Sequence, residues 1–149
     1  MAAEVRLLGP DDLPLMVEAG TEVFDKPVLP DQSAAFFADP RHHLIGAIAD
    51  GRLVGFASAV HYLHPDKPPE LFVSEVGVAA AWRRRGVGRA LVDEAVALGR
   101  ALGCAVAWVS TEAPNAPAQA LYRAAGGVPD ADPAIIITFA LGAPGAAAR

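Results

Sequence analysis

Apolar and polar positions alternate along the chain in six runs that predict β-strands. These runs cover residues 5–8, 43–49, 52–61, 71–78, 105–110 and 135–141. Asp50 and Gly51 join the second run to the third, and an Asp-Gly pair between two strands is a strong hairpin signal. The fifth run is almost entirely apolar, which predicts a strand in the middle of a sheet.

Four further segments have the features of helices, over residues 12–23, 32–38, 89–102 and 116–125. Asp11 can cap the first and Asn115 the last, which ends at Gly126. The third carries apolar residues at intervals of three and four, which give it one buried face: Val87, Leu91, Ala95, Leu98 and Leu102. The order β-α-α-β-β-β-α-β-α-β predicts an α+β fold, a mixed α/β sandwich in which an antiparallel meander leads into a strand-helix-strand unit.

The length of 149 residues suits one domain with a substantial core. We assign that domain to residues 1–141 and predict that residues 142–149 form a flexible tail, because they consist of Gly, Ala, Pro and a final Arg. No apolar run has the length of a membrane span, and the N-terminus lacks the apolar stretch of a signal peptide. Cys104 is the single cysteine, so no internal disulfide can form. We therefore expect a cytoplasmic protein with no membrane partner.

The formal net charge of the chain is −5 at pH 7. General nucleic-acid binders usually have a basic surface, so we expect no nucleic-acid partner. An acidic chain suits a small cationic substrate that is drawn to an acidic cleft. We expect no metal site, because no acidic or cysteine residue flanks the four histidines at zinc-like spacing: His42, His43, His61 and His64.

One basic segment interrupts this acidic background, between the fourth strand and the third helix, and reads Arg83-Arg84-Arg85-Gly86-Val87-Gly88-Arg89. The first turn of a helix has backbone N–H groups without internal partners, and glycines let a ligand approach the main chain. The segment therefore predicts a site for a phosphate-bearing ligand. It does not fit a P-loop, and Leu91 stands where a dinucleotide fingerprint has its third glycine. A purely structural glycine turn is the alternative.

The spacing of Arg83, Gly86 and Gly88 resembles the pyrophosphate loop of the GCN5-related N-acetyltransferase (GNAT) superfamily. Residues 75–78 resemble the central strand of the same superfamily. A later block resembles its pattern of Asn, Ala, an apolar residue, Tyr and Gly, although Gly127 replaces the usual Phe: Asn115, Ala118, Leu121, Tyr122 and Gly126. The chain is most similar to the small aminoglycoside 3-N-acetyltransferases within that superfamily. Asn115 departs from them, since they have an acidic residue there.

This resemblance implies a mostly antiparallel sheet flanked by helices, and acetyl transfer from acetyl-CoA to a primary amine. The first acceptor it implies is an aminoglycoside antibiotic, acetylated at its 3-N position as in resistance. It also implies cofactor contacts, made largely by backbone atoms, at Val76, Gly77, Val78, Arg83, Arg84, Arg85, Gly86, Val87, Gly88, Arg89, Asn115 and Tyr122.

The same resemblance implies catalytic roles for three side chains. Glu75 is the first candidate to accept the amine proton, directly or through water, and Glu112 is the second. Tyr122 is the candidate donor to the departing CoA thiolate. The acceptor cleft is expected to be bordered by five carboxylates, Glu22, Asp25, Asp66, Glu75 and Glu112. The structural alternatives are solvated carboxylates and a tyrosine that only packs the last helix.

Other functions stay open at this point. The acceptor can be a protein N-terminus, a lysine or a polyamine instead of an aminoglycoside. The chain can also be a non-catalytic acyl-CoA-binding module, which would bind CoA without turnover, or a nucleotide-binding protein. A homodimer is a possible assembly, as is common in this superfamily.

Overall fold

The computed structural model describes residues 2–142. These residues contain a five-stranded β-sheet with helices packed against it. The strands follow one another across the sheet in chain order: β1 (Glu4–Leu7), β2 (His42–Ala49), β3 (Arg52–Tyr62), β4 (Glu70–Val78) and β5 (Val106–Val109). The pairs from β1 to β4 are antiparallel, and β5 runs parallel to β4. The predicted mixed α/β fold with a mostly antiparallel sheet is confirmed.

The turn between β2 and β3 has the backbone that its sequence predicts. Asp50 and Gly51 have φ angles of 51° and 72°. Positive φ at both central residues is the geometry of the tight hairpin turn that matches the twist of the two strands. Asp tolerates this left-handed region better than most residues, and Gly enters it freely. The predicted hairpin is confirmed.

In residues 2–142, three α-helices and three short 3-10 turns lie between the strands, and a fourth α-helix follows β5. The helices are α1 (Leu13–Ala19), α2 (Pro30–Ala38), α3 (Val87–Ala101) and α4 (Ala116–Ala124), and the 3-10 turns are Pro10–Asp12, Gly20–Glu22 and Ala80–Trp82. The first helix is shorter than predicted because Gly20, with a φ of 48°, ends it. The third starts two residues earlier than predicted, directly after Gly86.

The helices cover both faces of the sheet, so the protein has two hydrophobic clusters. On one face α3 packs against the central strands through Ile45, Ala47, Ala57, Leu91 and Ala95. On the other face α1 packs against Leu44, Leu53 and Phe56 through Met16 and Ala19. Small residues keep the layers close. A Cβ added at Gly99 of α3 would lie 3.3 Å from Leu71 Cδ2 of β4.

Two predictions about the last third of the chain are wrong. Residues 135–141 form no strand in the described part of the chain. Their large apolar side chains are exposed, at 82% for Ile135 and 79% for Phe139. The predicted central strand, β5, lies at the edge of the sheet for the same reason. Its expected neighbour is not paired with it, which leaves Val106 and Trp108 51% and 42% exposed.

Within residues 2–142, no helix has the length and apolar character needed to cross a bilayer. The predicted flexible tail, residues 142–149, lies outside the described residues from position 143 onward. The assignment of residues 1–141 to a single domain stays a prediction.

Candidate active site

The sheet opens between β4 and β5, and this opening lies at the centre of the site. β5 pairs with β4 only from Glu70 to Val73. The remainder of β4, from Ser74 to Val78, therefore has no strand partner on the side away from β3 among the described residues. An unpaired strand edge presents backbone N–H and C=O groups that can bind an extended ligand as an added strand.

A bulge in β4 marks the start of this opening. Ser58 of β3 pairs with Glu75, but the next residue, Ala59, pairs with Val73, so Ser74 is the extra residue. A bulge bends the strand and changes the direction of its side chains. The Ser58 and Ser74 hydroxyls lie 2.8 Å apart, and Ser74 Oγ also donates to the Ser58 carbonyl at 3.2 Å. The bulge is thereby fixed next to Glu75.

The basic turn before α3 is exposed, and its backbone is unusual. Arg84 and Gly86 have φ angles of 59° and 82°, and Gly86 is the N-cap of α3. The N–H groups of residues 84–89 donate to no protein acceptor among the described residues. Consecutive N–H groups in such a turn, at the N-terminus of a helix, form a concave site for an anion. The predicted phosphate site has this geometry.

Three arginine side chains of the turn contact neighbouring residues. Arg83 Nε donates to the Val78 carbonyl at 3.2 Å, which ties the turn to the end of β4. The Arg85 guanidinium lies 4.8 Å from the centre of the Trp82 ring. Arg89 pairs with Asp93 at 2.9 Å along the outer face of α3. These contacts hold positive charge around the turn and do not use its backbone N–H groups.

Helix α4 approaches the same turn from the other side. The Asn115 side chain caps it, since its Oδ1 accepts from the Ala118 N–H at 3.1 Å. Gly88 allows the close approach of α4, because a Cβ there would lie 3.2 Å from Leu121 Cδ2. Tyr122 follows Leu121 and is half-buried, and burial raises the pKa of its phenol. The phenol therefore stays protonated near neutral pH and can donate.

A cleft with a cavity of about 570 Å³ lies beside the opening, on the α1 and α2 side of the sheet. Most of its wall is apolar, and its aromatic residues are Phe24, Phe36 and Phe56. Asp25 and Glu75 bring two carboxylates to this wall. Glu75 is an exposed residue, but partial desolvation of its carboxyl, and secondly the negative charge of Asp25, raise its pKa. The cleft thus offers a carboxylate with increased basicity to a cationic ligand.

The structure brings some of the predicted acceptor residues together and leaves others apart. Asp25 and Glu75 line the cleft, and Lys26 lies beside them. Glu22 instead faces Arg52 at 4.0 Å. Three carboxylates do not line the cavity: Glu22, Asp66 and Glu112. Glu112 is exposed ahead of α4, where its carbonyl accepts from the Asn115 N–H at 3.0 Å.

The sequence did not predict the apolar and serine residues of the cleft wall. The aromatic residues and the serine pair come from four separate segments, which meet only in the folded chain. The β4 bulge has one signal that could have found it, since the polar pair Ser74-Glu75 interrupts the apolar residues of the strand. A second depression of similar volume lies against Ala35, Ala38 and Arg41 and contains none of the predicted site residues. No group of three or more potential metal ligands occurs in residues 2–142.

Comparisons with known proteins show the family to which the chain belongs. The sequence model of the acetyltransferase (GNAT) family matches residues 13–126. The N-alpha-acetyltransferase RimI of Mycobacterium tuberculosis is 34% identical over 110 residues, which are 74% of this chain and 67% of that protein.

Solved structures of aminoglycoside acetyltransferases share the fold. One, from an uncultured soil metagenomic sample, has a TM-score of 0.78 at 24% identity and covers 93% of this chain and 99% of its own. Another, aminoglycoside N-acetyltransferase AAC(6')-Iy in complex with CoA, has a TM-score of 0.73 at 21% identity and covers 91% and 98%. At these identities the likeness shows the fold alone.

Proposed function

This chain belongs to the acetyltransferase (GNAT) family, and from that premise we propose that it transfers the acetyl group of acetyl-CoA to a primary amine bound at Glu75. The first acceptor class we propose is an aminoglycoside. The observation that carries the proposal is the carboxylate pair Asp25 and Glu75 in a cleft beside the open edge of β4. Neither carboxylate has an ion-pair partner among the described residues, so both are available to a cation.

The residues of the basic turn fit the diphosphate of acetyl-CoA. They offer consecutive N–H groups without a protein acceptor among the described residues, at the start of a 15-residue helix whose dipole favours a negative charge there by about 0.3–1 kcal/mol. The open edge of β4 pairs with the extended pantetheine arm as an added strand would. When bound, acetyl-CoA supplies the acetyl group as a thioester. Main-chain contacts at Val76, Gly77 and Val78 then direct it toward the cleft.

Glu75 prepares the amine for attack. An alkyl amine of pKa about 10.4 costs about 4–5 kcal/mol to deprotonate at pH 7. A carboxylate with a raised pKa, held in the cleft with Asp25, first attracts the ammonium group and then accepts its proton, directly or through one water. The neutral nitrogen bonds to the acetyl carbon, the carbon–sulfur bond breaks, and the nitrogen releases its second proton to the sulfur or to solvent. Glu112 is the alternative base, although it lies outside the cavity wall.

Tyr122 completes the reaction on the side of the leaving group. The departing CoA sulfur takes up the proton that balances the one lost by the amine. The pKa of the Tyr122 phenol is raised by burial, so it carries a proton at neutral pH. A phenol is a weaker acid than a thiol, so Tyr122 stabilises the departing thiolate by donating a hydrogen bond and keeps its own proton, while the sulfur takes a proton from the acetylated nitrogen or from water. Helix α4 holds this phenol near the turn.

A second acceptor class, the N-terminal amine of a peptide, has an observation in its favour. Most of the cleft wall is apolar, and its three phenylalanines suit an aliphatic or aromatic side chain next to the amine. The 34% identical relative is an N-alpha-acetyltransferase. Lys26, which also lines the cleft, would oppose a ligand with many positive charges. The carboxylate pair favours an aminoglycoside, and the apolar wall favours a peptide.

A comparison of acceptors at fixed acetyl-CoA concentration tests the proposal. CoA release is measured with gentamicin-like aminoglycosides, with peptides that begin with Ala, Ser or Phe, and with spermidine. The proposal expects the highest kcat/KM for an aminoglycoside. A higher kcat/KM for a peptide favours the second acceptor class. Phe36→Ala then tests the role of the apolar cleft wall. Binding of acetyl-CoA without turnover of any amine contradicts both.

A further inference from the structure

Two serine hydroxyls lie in the wall of the cleft, and the reaction proposed above uses neither of them. Ser58 of β3 is half-buried, and Ser74, the extra residue of the β4 bulge, is exposed. Both line the same cavity as Glu75 and Asp25, and Ser74 is the chain neighbour of Glu75. This serine pair therefore lies where the nitrogen of the acceptor amine is expected to bind.

The hydrogen bonds of the serine pair determine which of its atoms are available to a ligand. Ser74 Oγ lies 2.8 Å from Ser58 Oγ and donates to the Ser58 carbonyl at 3.2 Å. A hydroxyl has one proton and two lone pairs. Both bonds form together only if Ser58 donates to Ser74 while Ser74 donates to the carbonyl. Each proton is then in use, so the two oxygens offer only lone pairs to the cleft.

These protons determine the kind of group that the serine pair binds. Its oxygens accept hydrogen bonds from the N–H groups of an amine. They cannot donate to the carbonyl oxygen of a thioester, or to Glu75, unless one of the existing bonds breaks. The pKa of Glu75 agrees with this arrangement, since it is raised, whereas a hydrogen bond donated by Ser74 would lower it. The serine pair thus suits the amine and not the acetyl group.

We propose that the serine pair accepts an N–H group of the acceptor amine and thereby aims the nitrogen lone pair at the acetyl carbon. This role rests on the proposed acetyl transfer to an amine. A primary ammonium group gives one proton to Glu75, and its nitrogen then keeps two N–H groups and one lone pair, which must face the thioester. The serine pair holds one N–H group and Asp25 holds the other. The direction of the lone pair is then fixed, and a fixed attack geometry accelerates the reaction.

The same geometry makes the site selective for primary amines. A methyl group on the reacting nitrogen removes one N–H group, so either the serine pair or Asp25 is left without its partner. The loss of one hydrogen bond to a charged group weakens an interaction by about 10-fold or more. The wild type is therefore expected to acetylate a primary amine faster than its N-methyl counterpart, and the serine pair accounts for part of that preference.

Paired acceptors test this role. A gentamicin-like aminoglycoside and a peptide that begins with Ala are each compared with the counterpart that is methylated on the acetylated nitrogen, which tandem mass spectrometry identifies. Ser74→Ala removes one oxygen and frees the Ser58 proton to point into the cleft. It is expected to lower kcat/KM for the primary amine by about 10-fold and to change it little for the N-methyl amine. Ser74→Thr keeps a hydroxyl and should restore the wild-type preference.

The outcomes separate this role from a structural one. If Ser74→Ala lowers kcat/KM for both amines by the same factor, or for neither, the serine pair only fixes the bulge and the inference is wrong. The urea midpoint shows whether the variant is destabilised. Where the N-methyl amine reacts too slowly, its Ki against the primary amine is measured instead, and Ser74→Ala should leave that Ki unchanged. A wild type that acetylates no amine overturns the proposed function as well, so the two failures are distinguishable.

Discussion

The charge on Glu75 is set by its neighbours in the cleft. The carboxyl is partly desolvated although the residue is exposed, and Asp25 adds a second negative charge, so the pKa of Glu75 is raised. A base must be deprotonated to act, and a raised pKa increases its affinity for the amine proton. The expected pH dependence of the reaction follows from this balance.

Asp25→Asn should move the acidic limb of the pH profile to lower pH. Removal of the Asp25 charge takes away one of the two causes that raise the pKa of Glu75, so Glu75 loses its proton at a lower pH. The measurement is kcat/KM for the amine as a function of pH, from acidic to mildly basic conditions. Asp31→Asn, at the exposed start of α2, is the matched control and should leave the limb in place. If the acidic limb of Asp25→Asn lies at the wild-type pH or at a higher pH, the account is contradicted.

Tyr122→Phe should lower kcat by about 100-fold, the low end of what a positioned proton donor contributes. The substitution keeps the ring that packs in α4, so acetyl-CoA affinity and the unfolding transition should change little. Tyr62→Phe is the control, since its hydroxyl accepts from Trp108 Nε1 at 2.7 Å and lies outside the cleft wall. Loss of activity in proportion to loss of stability would indicate a packing role instead.

Glycines set the distances between the elements that build the site. Gly77 of β4 is the tightest case, because an added Cβ would lie 2.5 Å from the Val23 carbonyl oxygen and 2.6 Å from Phe56 Cε1. The backbone oxygen cannot rotate away as a flexible side chain could. The segment after α1 therefore packs directly on the strand that carries Glu75.

Gly77→Ala should destabilise the protein by about 1–3 kcal/mol, the usual cost of forcing a methyl group into a packed interior. Urea unfolding followed by circular dichroism measures it. Gly9→Ala is the control, since no atom lies within 4 Å of its added Cβ and its φ of −130° suits any residue. Equal urea midpoints for the two variants would contradict this, because they would show that the structure around Gly77 has room for a Cβ.

The alternation of residues predicts the elements better than it predicts their neighbours. The hairpin at Asp50 and the buried face of α3 around Leu91 follow from local patterns, and both are present. The position of β5 depends on which strand pairs with Val106, and periodicity contains no information about pairing partners. The same limit explains residues 135–141. Their pattern is that of a strand, but a strand also requires an edge on which to form.

At the scale of the whole molecule, the sequence predicts the local geometry of the basic turn more fully than that of the cleft. The basic turn is one continuous segment, so its spacing could be read directly, and its N–H groups have no protein acceptor among the described residues. The cleft combines residues from distant segments. Of the five predicted carboxylates, Asp25 and Glu75 line it, whereas Glu22, Asp66 and Glu112 do not. Their separation depends on loop paths that no local pattern determines.

The central claim is that Glu75, beside an acetyl-CoA held at the basic turn, accepts the proton of the attacking amine. The most direct test is the rate of acetylated amine formation by wild type and Glu75→Gln at pH 7, with product followed by mass spectrometry. The account predicts that Glu75→Gln lowers kcat/KM by about 100-fold or more, while acetyl-CoA affinity and the unfolding midpoint are retained. A Glu75→Gln enzyme that acetylates the amine at the wild-type rate would contradict it.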